Sequence, residues 1–110
     1  MIWDVQFSDM AKKDLRGIRK YISDELLEPE TALEQVARII SAADSLEFMP
    51  MRHRICDFEP WHSRGLRLLP VDNYTVYYLP NESFGTVNVI RVVYNGRNIA
   101  AVFMGDSNAQ

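Results

Sequence analysis

Two stretches in the second half of the chain decide the fold: residues 65–79, GLRLLPVDNYTVYYL, and residues 86–103, TVNVIRVVYNGRNIAAVF. In the first stretch, leucine, valine and tyrosine residues lie on both sides of Asp72-Asn73, which is a turn signal. It therefore predicts two strands joined by a tight turn. The second stretch begins with TVNVIRVVY, the longest strand candidate in the chain. Together the two stretches predict at least three strands of one sheet.

Arg91 lies in the middle of this longest strand. Strict alternation places it on the same face as Val87, Val89 and Val93. One interpretation is a buried arginine paired with an acid from another element, and the other is a contact to phosphate. The Asn95-Gly96 pair after the strand favours a type I′ turn that leads into a short last strand.

The first half of the chain predicts a strand followed by two helices. Residues 2–7, IWDVQF, alternate as a half-buried strand does, and Ser8 is a suitable helix N-cap. Glu28-Pro29 starts a second helix, which Pro50 ends. Apolar residues recur at spacings of three and four in both helices, at Ala11, Leu15, Ile18, Ile22 and Leu26 in the first and at Leu33, Val36, Ala37, Ile40, Ala43 and Leu46 in the second.

The predicted order is therefore strand, helix, helix and at least three further strands. This order is typical of an α+β fold in which a helical hairpin packs on one face of a mainly antiparallel sheet. The other face of the sheet is expected to stay partly open, and a functional surface is expected there. Residues 51–64 give no clear secondary-structure pattern.

The length of 110 residues fits one domain, for which we predict the range 1–104, followed by a frayed polar tail over 105–110. The first residues lack the basic start and apolar centre of a signal peptide, and no apolar run reaches the roughly 20 residues that span a bilayer. We therefore expect a cytoplasmic protein without a membrane partner.

Charge is distributed unevenly along the chain. The formal net charge is −3, with six basic and ten acidic residues in the first 50 positions and six arginines against five acidic residues in the rest. A negative protein is a poor non-specific ligand of nucleic acids. The second half still has enough arginine to line a local basic surface.

Cysteine and histidine give no sign of a metal or a cofactor. Cys56 is the single cysteine, and a lone cysteine in a small domain is typical of buried packing. His53 and His62 lie near Asp57 and Glu59, but their spacing matches no metal-binding pattern. We expect neither a metal site nor a cofactor.

The element order, the GLRLLPVDNYTVYYL pair of strands and the closing VIRVVYNGRNI resemble the RelE/ParE superfamily of toxins from bacterial type II toxin–antitoxin modules. The resemblance extends from Ile2 to about Phe103. It implies a β-α-α-β-β-β RelE-like fold and a small cytoplasmic toxin that a cognate antitoxin holds inactive. One branch of the superfamily cleaves messenger RNA inside the ribosome, and the ParE branch inhibits DNA gyrase.

Individual residues favour the ParE branch within this resemblance. The nucleases must stabilise charge on a phosphate and move protons, and they often carry Tyr-Arg-x-x-Tyr on the third strand. Here Thr75 stands at the position of that arginine. The family pattern H-x-x-R-D corresponds to Tyr94-Asn95-Gly96-Arg97-Asn98, in which only Arg97 is kept. No tyrosine or histidine follows in the next residues to serve as a terminal acid.

The nuclease interpretation gives four candidate catalytic residues, Arg67, Arg91, Arg97 and Tyr94, with His62 as an alternative to Tyr94. Arg67, Arg91 or Arg97 would steady the phosphate, and Tyr94 or His62 would move the proton. Arg67 is the candidate for the open sheet face. Alternatively, Arg97 only flanks the turn and has no catalytic role. Tyr94 is alternatively an ordinary strand residue that packs through its ring.

The candidate partner-binding residues are Phe58, Trp61, Arg64 and Tyr77. Phe58 and Trp61 either form part of an antitoxin groove or cap the core at the sheet edge. Three hypotheses for function stay open: a ParE-like inhibitor of DNA gyrase without chemistry of its own, a RelE-like ribosome-dependent endoribonuclease, and a non-toxic family member that only binds its partner. The first two imply a cognate antitoxin.

Overall fold

The computed structural model describes the backbone of residues 2–108 and the side chains of residues 2–103. The elements, in chain order, are β1 (Asp4–Phe7), α1 (Asp9–Lys20), a π-helical turn (Tyr21–Glu25), α2 (Pro29–Asp44), two 3-10 turns (Ser45–Glu47 and Pro50–Arg52), α3 (Trp61–Arg64), β2 (Arg67–Val71), β3 (Tyr74–Asn81), β4 (Thr86–Tyr94) and α4 (Ile99–Asn108). The predicted β-α-α-β-β-β order is confirmed, with α3 and α4 in addition.

The four strands form one sheet in the order β1-β4-β3-β2. The β2–β3 and β3–β4 pairs are antiparallel, and the β1–β4 pair is parallel. A mainly antiparallel sheet is therefore confirmed. Both β3 and β4 are central strands, so their backbone groups are used on both sides.

Helix α1 begins where the sequence predicts it. The Ser8 hydroxyl oxygen accepts a hydrogen bond from the Ala11 backbone N–H at 3.0 Å, which satisfies one of the free donors at the helix start. The same hydroxyl donates to the Ile90 carbonyl of β4 at 2.8 Å. The cap therefore also joins the helix to the sheet.

The predicted apolar stripe of α2 is partly wrong. Leu33, Ala37 and Ile40 are exposed, whereas the buried positions include Ala32 and Ile39. Two stripes with helical spacing lie side by side in this sequence, and the packing against the sheet decides between them. A further buried residue of α2, Gln35, donates to Asp72 in the β2–β3 turn at 2.9 Å, which contributes to fixing the rotation of the helix.

The helical hairpin packs on one face of the sheet and forms the larger core. Its buried members are Ala11, Leu15, Ile39, Ala43 and Leu46 from the helical segments and Leu69, Tyr74, Val76, Tyr78, Val87, Val89 and Val92 from the strands. The Tyr78 hydroxyl donates to the Pro50 carbonyl at 2.6 Å, and burial raises the pKa of this phenol to about 12.

The second face of the sheet is not open to the extent that we predicted. Val102 and Phe103 of α4 pack on it with Leu66, Leu68, Tyr77 and Val93. The physical reason lies in Asn98, which begins a helix instead of a strand: its side-chain oxygen accepts from the Ala101 N–H at 3.2 Å. The predicted short last strand is therefore wrong.

The predicted type I′ turn at Asn95-Gly96 is also wrong. That turn type needs a positive φ at both central residues, and neither residue has one. The turn is instead closed by the Arg97 N–H, which donates to the Tyr94 carbonyl at 3.1 Å.

The backbone of α4 continues through residues 105–108, where we placed the start of a frayed tail. Residues 109 and 110 lie outside the described residues. The domain range 1–104 stays a prediction. Within the described part of the chain, every helix is too short or too polar to cross a bilayer.

Candidate partner-binding groove

A groove of about 900 Å³ lies between α1 with its π-helical turn and the end of the sheet where β3 starts and β4 stops. Its wall on the helical side includes Met10, Gly17 and Tyr21, and its wall on the sheet side includes Tyr74 and Tyr94. We call this cavity the α1 groove. It brings together three of the four candidate catalytic residues: Arg91, Tyr94 and Arg97.

An ion pair between α1 and β4 forms part of the groove wall. Arg91 donates through Nε to Asp14 Oδ2 at 2.8 Å and through Nη2 to Asp14 Oδ1 at 2.9 Å. The Val92 backbone N–H donates to the same Oδ2 at 2.9 Å. Both side chains of the pair are almost completely buried. The predicted pairing of Arg91 with an acid of the helices is confirmed.

A β-bulge explains how Arg91 comes to this position. Tyr78 pairs with Val89 and Tyr77 pairs with Arg91, which leaves Ile90 as an extra residue in β4. The predicted alternation of Val87, Val89, Arg91 and Val93 on one face is therefore wrong. Val87 and Val89 join the helical face, and Val93 joins the other face.

Three tyrosines surround the mouth of the groove. The rings of Tyr74 and Tyr94 meet edge to face with centroids 5.8 Å apart. Burial raises the pKa of Tyr74, with smaller contributions in the same direction from Tyr94 and Tyr21. Tyr74 is therefore a neutral phenol near pH 7. Tyr94 packs on it as a strand residue does, yet half of its surface (51%) stays exposed.

Gly96 allows the Tyr94 ring to lie over the turn. A Cβ atom at Gly96 would come within 2.7 Å of Cε2 of that ring. Any larger residue at this position must move the Tyr94 side chain. The short, close turn therefore determines where the tyrosine meets the groove.

Two cationic side chains border the groove without a carboxylate partner among the described side chains. Lys13 lies on α1 and Arg97 follows the β4 turn, and both are exposed. The single acidic residue in the groove lining is Asp14, which Arg91 already neutralises. The groove consequently has an excess of positive charge in a protein of net charge −3.

Arg67 is not part of this site, nor does it lie on the predicted open face. It pairs with Tyr78, whose side chain belongs to the helical face, and its Nη1 donates to the carbonyls of Met51 at 3.0 Å and His53 at 2.5 Å. Our placement of Arg67 was wrong because residues 54–56 pair with the edge of β2 and bring these carbonyls within reach.

Thr75 is held by the turn at the end of β4. Its hydroxyl lies 2.7 Å from Asn95 Oδ1, to which it donates. A hydroxyl engaged in this way carries no charge to offset a phosphate.

The candidate partner-binding residues gather elsewhere, around Phe103 of α4. The ring centroids of Phe58, Trp61 and Tyr77 lie 5.8, 5.1 and 5.4 Å from that of Phe103. We call these four residues the Phe103 cluster. Arg64 stacks over Trp61, with its guanidinium carbon 4.9 Å from the ring centroid. In this arrangement α4 packs against the aromatic residues, and their role in binding a partner stays a prediction.

The single cysteine and the two histidines are engaged by neighbouring groups of the protein. Cys56 is buried, and burial raises the pKa of its thiol. His62 Nδ1 lies 2.8 Å from the Cys56 carbonyl. His53 has a lowered pKa, first because of burial and then because of Arg52 and Arg67. Among the described side chains, no three acidic, histidine or cysteine residues gather in a way that could hold a metal ion.

Sequence reasoning missed the α1 side of the groove. Lys13, Asp14, Gly17 and Tyr21 were not predicted to take part in a site. Gly17 was the available signal, because a glycine inside a helix destabilises it and calls for a local reason. A Cβ atom at Gly17 would meet nothing within 4 Å, so this position opens directly onto free space.

Three solved structures share the fold of this chain. The chromosomal ParDE toxin–antitoxin system of P. aeruginosa has a TM-score of 0.69 at 19% identity, covering 84% of this chain and 96% of that chain. The RelBE2 toxin–antitoxin complex of Mycobacterium tuberculosis has a TM-score of 0.63 at 20% identity, covering 86% and 99%. The archaeal RelE–RelB complex of Pyrococcus horikoshii has a TM-score of 0.60 at 18% identity, covering 89% and 100%.

The sequence itself was compared with curated proteins and with family models. No curated protein matches significantly. The family model described as ParE toxin of type II toxin–antitoxin system, parDE, matches residues 5–99. Because that match spans most of the chain, this protein belongs to the ParE toxin family of type II toxin–antitoxin systems.

Proposed function

We propose that this toxin inhibits DNA gyrase by binding to it, catalyses no reaction of its own, and is neutralised by a cognate antitoxin in the cytoplasm. The observation that carries the proposal is the match to the ParE toxin model over residues 5–99. The gyrase target comes from the ParE branch of the resemblance described above.

The chemistry of the groove supports an inhibitor that binds. Of the three candidate arginines, Arg91 is engaged by Asp14 and Arg67 donates to two backbone carbonyls away from the groove. Arg97 is then the one candidate arginine left to meet a phosphate. A phosphoryl-transfer site needs several positioned charges together with an acid and a base.

The second candidate function is a ribosome-dependent endoribonuclease. It is favoured by one observation: Tyr94, Arg97 and Lys13 border the same groove. In that mechanism Arg97 and Lys13 would steady the phosphate and Tyr94 would move a proton. Replacing Arg97 by alanine and Tyr94 by phenylalanine would then abolish cleavage of ribosome-bound message.

Pulse labelling after induction of the protein alone in a bacterium separates these functions. We expect DNA synthesis to stop before protein synthesis, and we expect the purified protein to block supercoiling by purified gyrase. An earlier stop of protein synthesis, with cut message in purified ribosomes, would replace gyrase by the ribosome as target. If neither synthesis stops, the third hypothesis holds, a family member that only binds its partner.

The antitoxin is tested separately by co-expression. Each short reading frame beside the gene is expressed together with the toxin, and growth is followed. We expect one of them to restore growth and to copurify with this chain. Growth inhibition that no neighbouring frame relieves would contradict the antitoxin part of the proposal.

A further inference from the structure

We propose that Asn95 is a site of spontaneous covalent modification: it deamidates through a cyclic imide, and the products, aspartate and isoaspartate, change the turn that carries Tyr94 and Arg97 to the α1 groove. The inference goes beyond the proposed function and does not depend on whether gyrase is the target. Its basis is one exposed turn in which the reacting atoms, a hydrogen-bond donor and a required glycine meet.

Deamidation of an asparagine is an attack of the next residue's backbone on its side chain. The backbone nitrogen of Gly96 loses its proton and forms a bond to Cγ of Asn95, and the side-chain nitrogen leaves as ammonia. Solvent water then hydrolyses the five-membered imide. Opening at Cγ gives aspartate, and opening at the main-chain carbonyl gives isoaspartate, in which the chain continues through Cβ and Cγ.

The backbone nitrogen of Gly96 is accessible for this attack. Asn95 and Gly96 are both exposed. The N–H groups on either side are engaged: that of Asn95 donates to the Asn73 carbonyl at 2.9 Å, and that of Arg97 donates to the Tyr94 carbonyl at 3.1 Å. Within the described part of the chain, the Gly96 N–H donates to no backbone carbonyl. An exposed N–H without such a bond exchanges its proton with water readily.

The Thr75 hydroxyl is placed where the reaction develops charge. When Cγ of Asn95 is attacked, negative charge builds up on Oδ1. The Thr75 hydroxyl donates to that oxygen at 2.7 Å. A donor at the atom on which charge develops lowers the barrier of such an addition. Thr75 belongs to β3 and Asn95 follows β4, so the pairing of the two strands brings the donor to the amide.

Packing requires the glycine that makes Asn95 reactive. A Cβ atom at Gly96 would come within 2.7 Å of Cε2 of the Tyr94 ring. The missing Cβ also leaves the attacking nitrogen unhindered and the local backbone free to reach the reactive geometry. The other five asparagines of the chain all precede a residue with a Cβ, namely Tyr74, Glu82, Val89, Ile99 and Ala109. Asn95 is therefore expected to react first.

Both products alter the border of the α1 groove between Tyr94 and Arg97. Each introduces a carboxylate two residues before Arg97, which reduces the excess of positive charge at the groove. Isoaspartate also adds one carbon to the main chain between the Tyr94 carbonyl and the Arg97 N–H, whose hydrogen bond closes the turn. The longer turn no longer holds the Tyr94 ring against residue 96 in the same way. Aged protein consequently has a different groove wall from newly made protein.

Peptide mapping of the purified full-length chain after incubation at neutral pH tests the proposal. Trypsin cleaves after Arg67, Arg91 and Arg97, so the peptide 92–97 contains Asn95 and no other asparagine. We expect 92–97 to gain the mass of an NH2-to-OH change about tenfold faster than peptides 68–91 and 98–110, a factor that a barrier lower by about 1.4 kcal/mol produces. An isoaspartyl methyltransferase should then transfer methyl groups from S-adenosylmethionine to 92–97.

Three variants assign the roles in this reaction. Asn95→Gln keeps the amide but would have to close a larger ring, and it should stay unmodified over the same period. Thr75→Val removes the hydroxyl at nearly constant size, and it should slow the mass gain about fivefold, as the loss of one neutral hydrogen bond does. Ser63→Ala is the matched control, because its hydroxyl donates to Glu59 away from the turn. It should leave the rate unchanged.

The effect on the groove is measured by amide hydrogen exchange. In the aged chain the Arg97 N–H should exchange faster, because isoaspartate lengthens the turn that this group closes. The N–H groups of α1 should keep their exchange rates. Unchanged exchange at Arg97 in a sample rich in isoaspartate would reject the proposed change of the groove wall.

Four further results would overturn the inference. Equal mass gain in all three tryptic peptides would remove the special reactivity of Asn95. Aspartate without isoaspartate would exclude the cyclic imide. An unchanged or faster reaction in Thr75→Val would mean that this hydroxyl does not activate the amide. A clearly slower reaction in the folded chain than in a synthetic peptide of residues 92–97 would mean that the fold protects the turn.

Discussion

The α1 groove and the Phe103 cluster are both built from aromatic side chains beside the same two central strands, but they differ in whether the chain itself covers these side chains. At the Phe103 cluster, α4 of the same chain covers Phe58, Trp61 and Tyr77. At the α1 groove, Tyr21 and Tyr94 stay exposed to solvent. Aromatic residues in a sequence therefore indicate surfaces that pack against another element, but they do not indicate whether that element belongs to the same chain.

The largest effect is expected at the ion pair in the groove wall. Asp14→Ala leaves the buried Arg91 without its carboxylate and the Val92 N–H without its acceptor. The loss should be about 3–5 kcal/mol in the free energy of unfolding, because an uncompensated buried charge remains. Urea denaturation followed by fluorescence measures it.

Two variants sharpen this test. Arg38→Ala breaks the exposed Arg38–Asp72 pair, and it should leave the denaturation midpoint nearly unchanged. The double variant Asp14→Leu with Arg91→Met should recover part of the stability, since an apolar pair avoids the buried charge while the Val92 N–H still lacks its acceptor. Equal losses for Asp14→Ala and Arg38→Ala would show that burial does not set the strength of these pairs.

The next effect separates the covered region from the open one. Phe103→Ala removes the ring around which the Phe103 cluster packs, at a cost of about 3 kcal/mol. Tyr94→Ala removes a ring that is half exposed, and it should cost less than about 1 kcal/mol. Thermal unfolding of both variants makes the comparison. A larger loss for Tyr94→Ala would mean that the groove contributes more to stability than the cluster.

A smaller effect is expected at the cap of α4. Asn98→Ala removes the acceptor for the Ala101 N–H and should cost about 1 kcal/mol. The opening should be local, so amide hydrogen exchange should quicken in α4 and not in α1. Ser8→Ala is the counterpart at α1, and it should cost more, since Ser8 also donates to the Ile90 carbonyl. Uniform exchange changes after Asn98→Ala would contradict a separately opening α4.

The last effect is a dependence of stability on alkaline pH. The pKa of Tyr78 is raised from 10.0 to about 12 in the folded protein, first because of burial. The unfolded chain therefore loses this proton at lower pH than the folded chain. The contribution to stability is complete below about pH 10 and is lost as pH rises through about 12. Tyr78→Phe should flatten the decline in stability over this interval, and an unchanged slope would contradict this assignment.

The sequence predicts the sheet and the hairpin because local signals there agree with packing. The alternation in β1, the Ser8 cap and the Asp72-Asn73 turn each indicate the element that is observed. Agreement of this kind across local and global levels is what makes an element predictable. The pairing of Arg91 with an acid of the helices could also be predicted, because an unpaired buried charge is costly.

The errors come from features that a periodic pattern does not contain. Asn95-Gly96 is a strong hairpin signal, but Asn98 caps a helix two residues later and directs the chain onto the sheet. The bulge at Ile90 breaks alternation inside a run of uniformly strand-forming residues. The true direction of Arg67 depends on the carbonyls of Met51 and His53, which belong to a segment without a readable pattern.

Each wall of the α1 groove contains an irregularity of the same kind. The helical wall contains the π-helical turn Tyr21–Glu25, and the sheet wall lies next to the bulge at Ile90. Both irregularities accommodate one residue beyond the regular repeat of their element. Insertion or deletion of a single residue at either point would change the direction in which the following side chains of the helix or strand point. Evolution could therefore reshape this surface, and with it the choice of partner, by changes of length that leave the helix and strand frameworks in place.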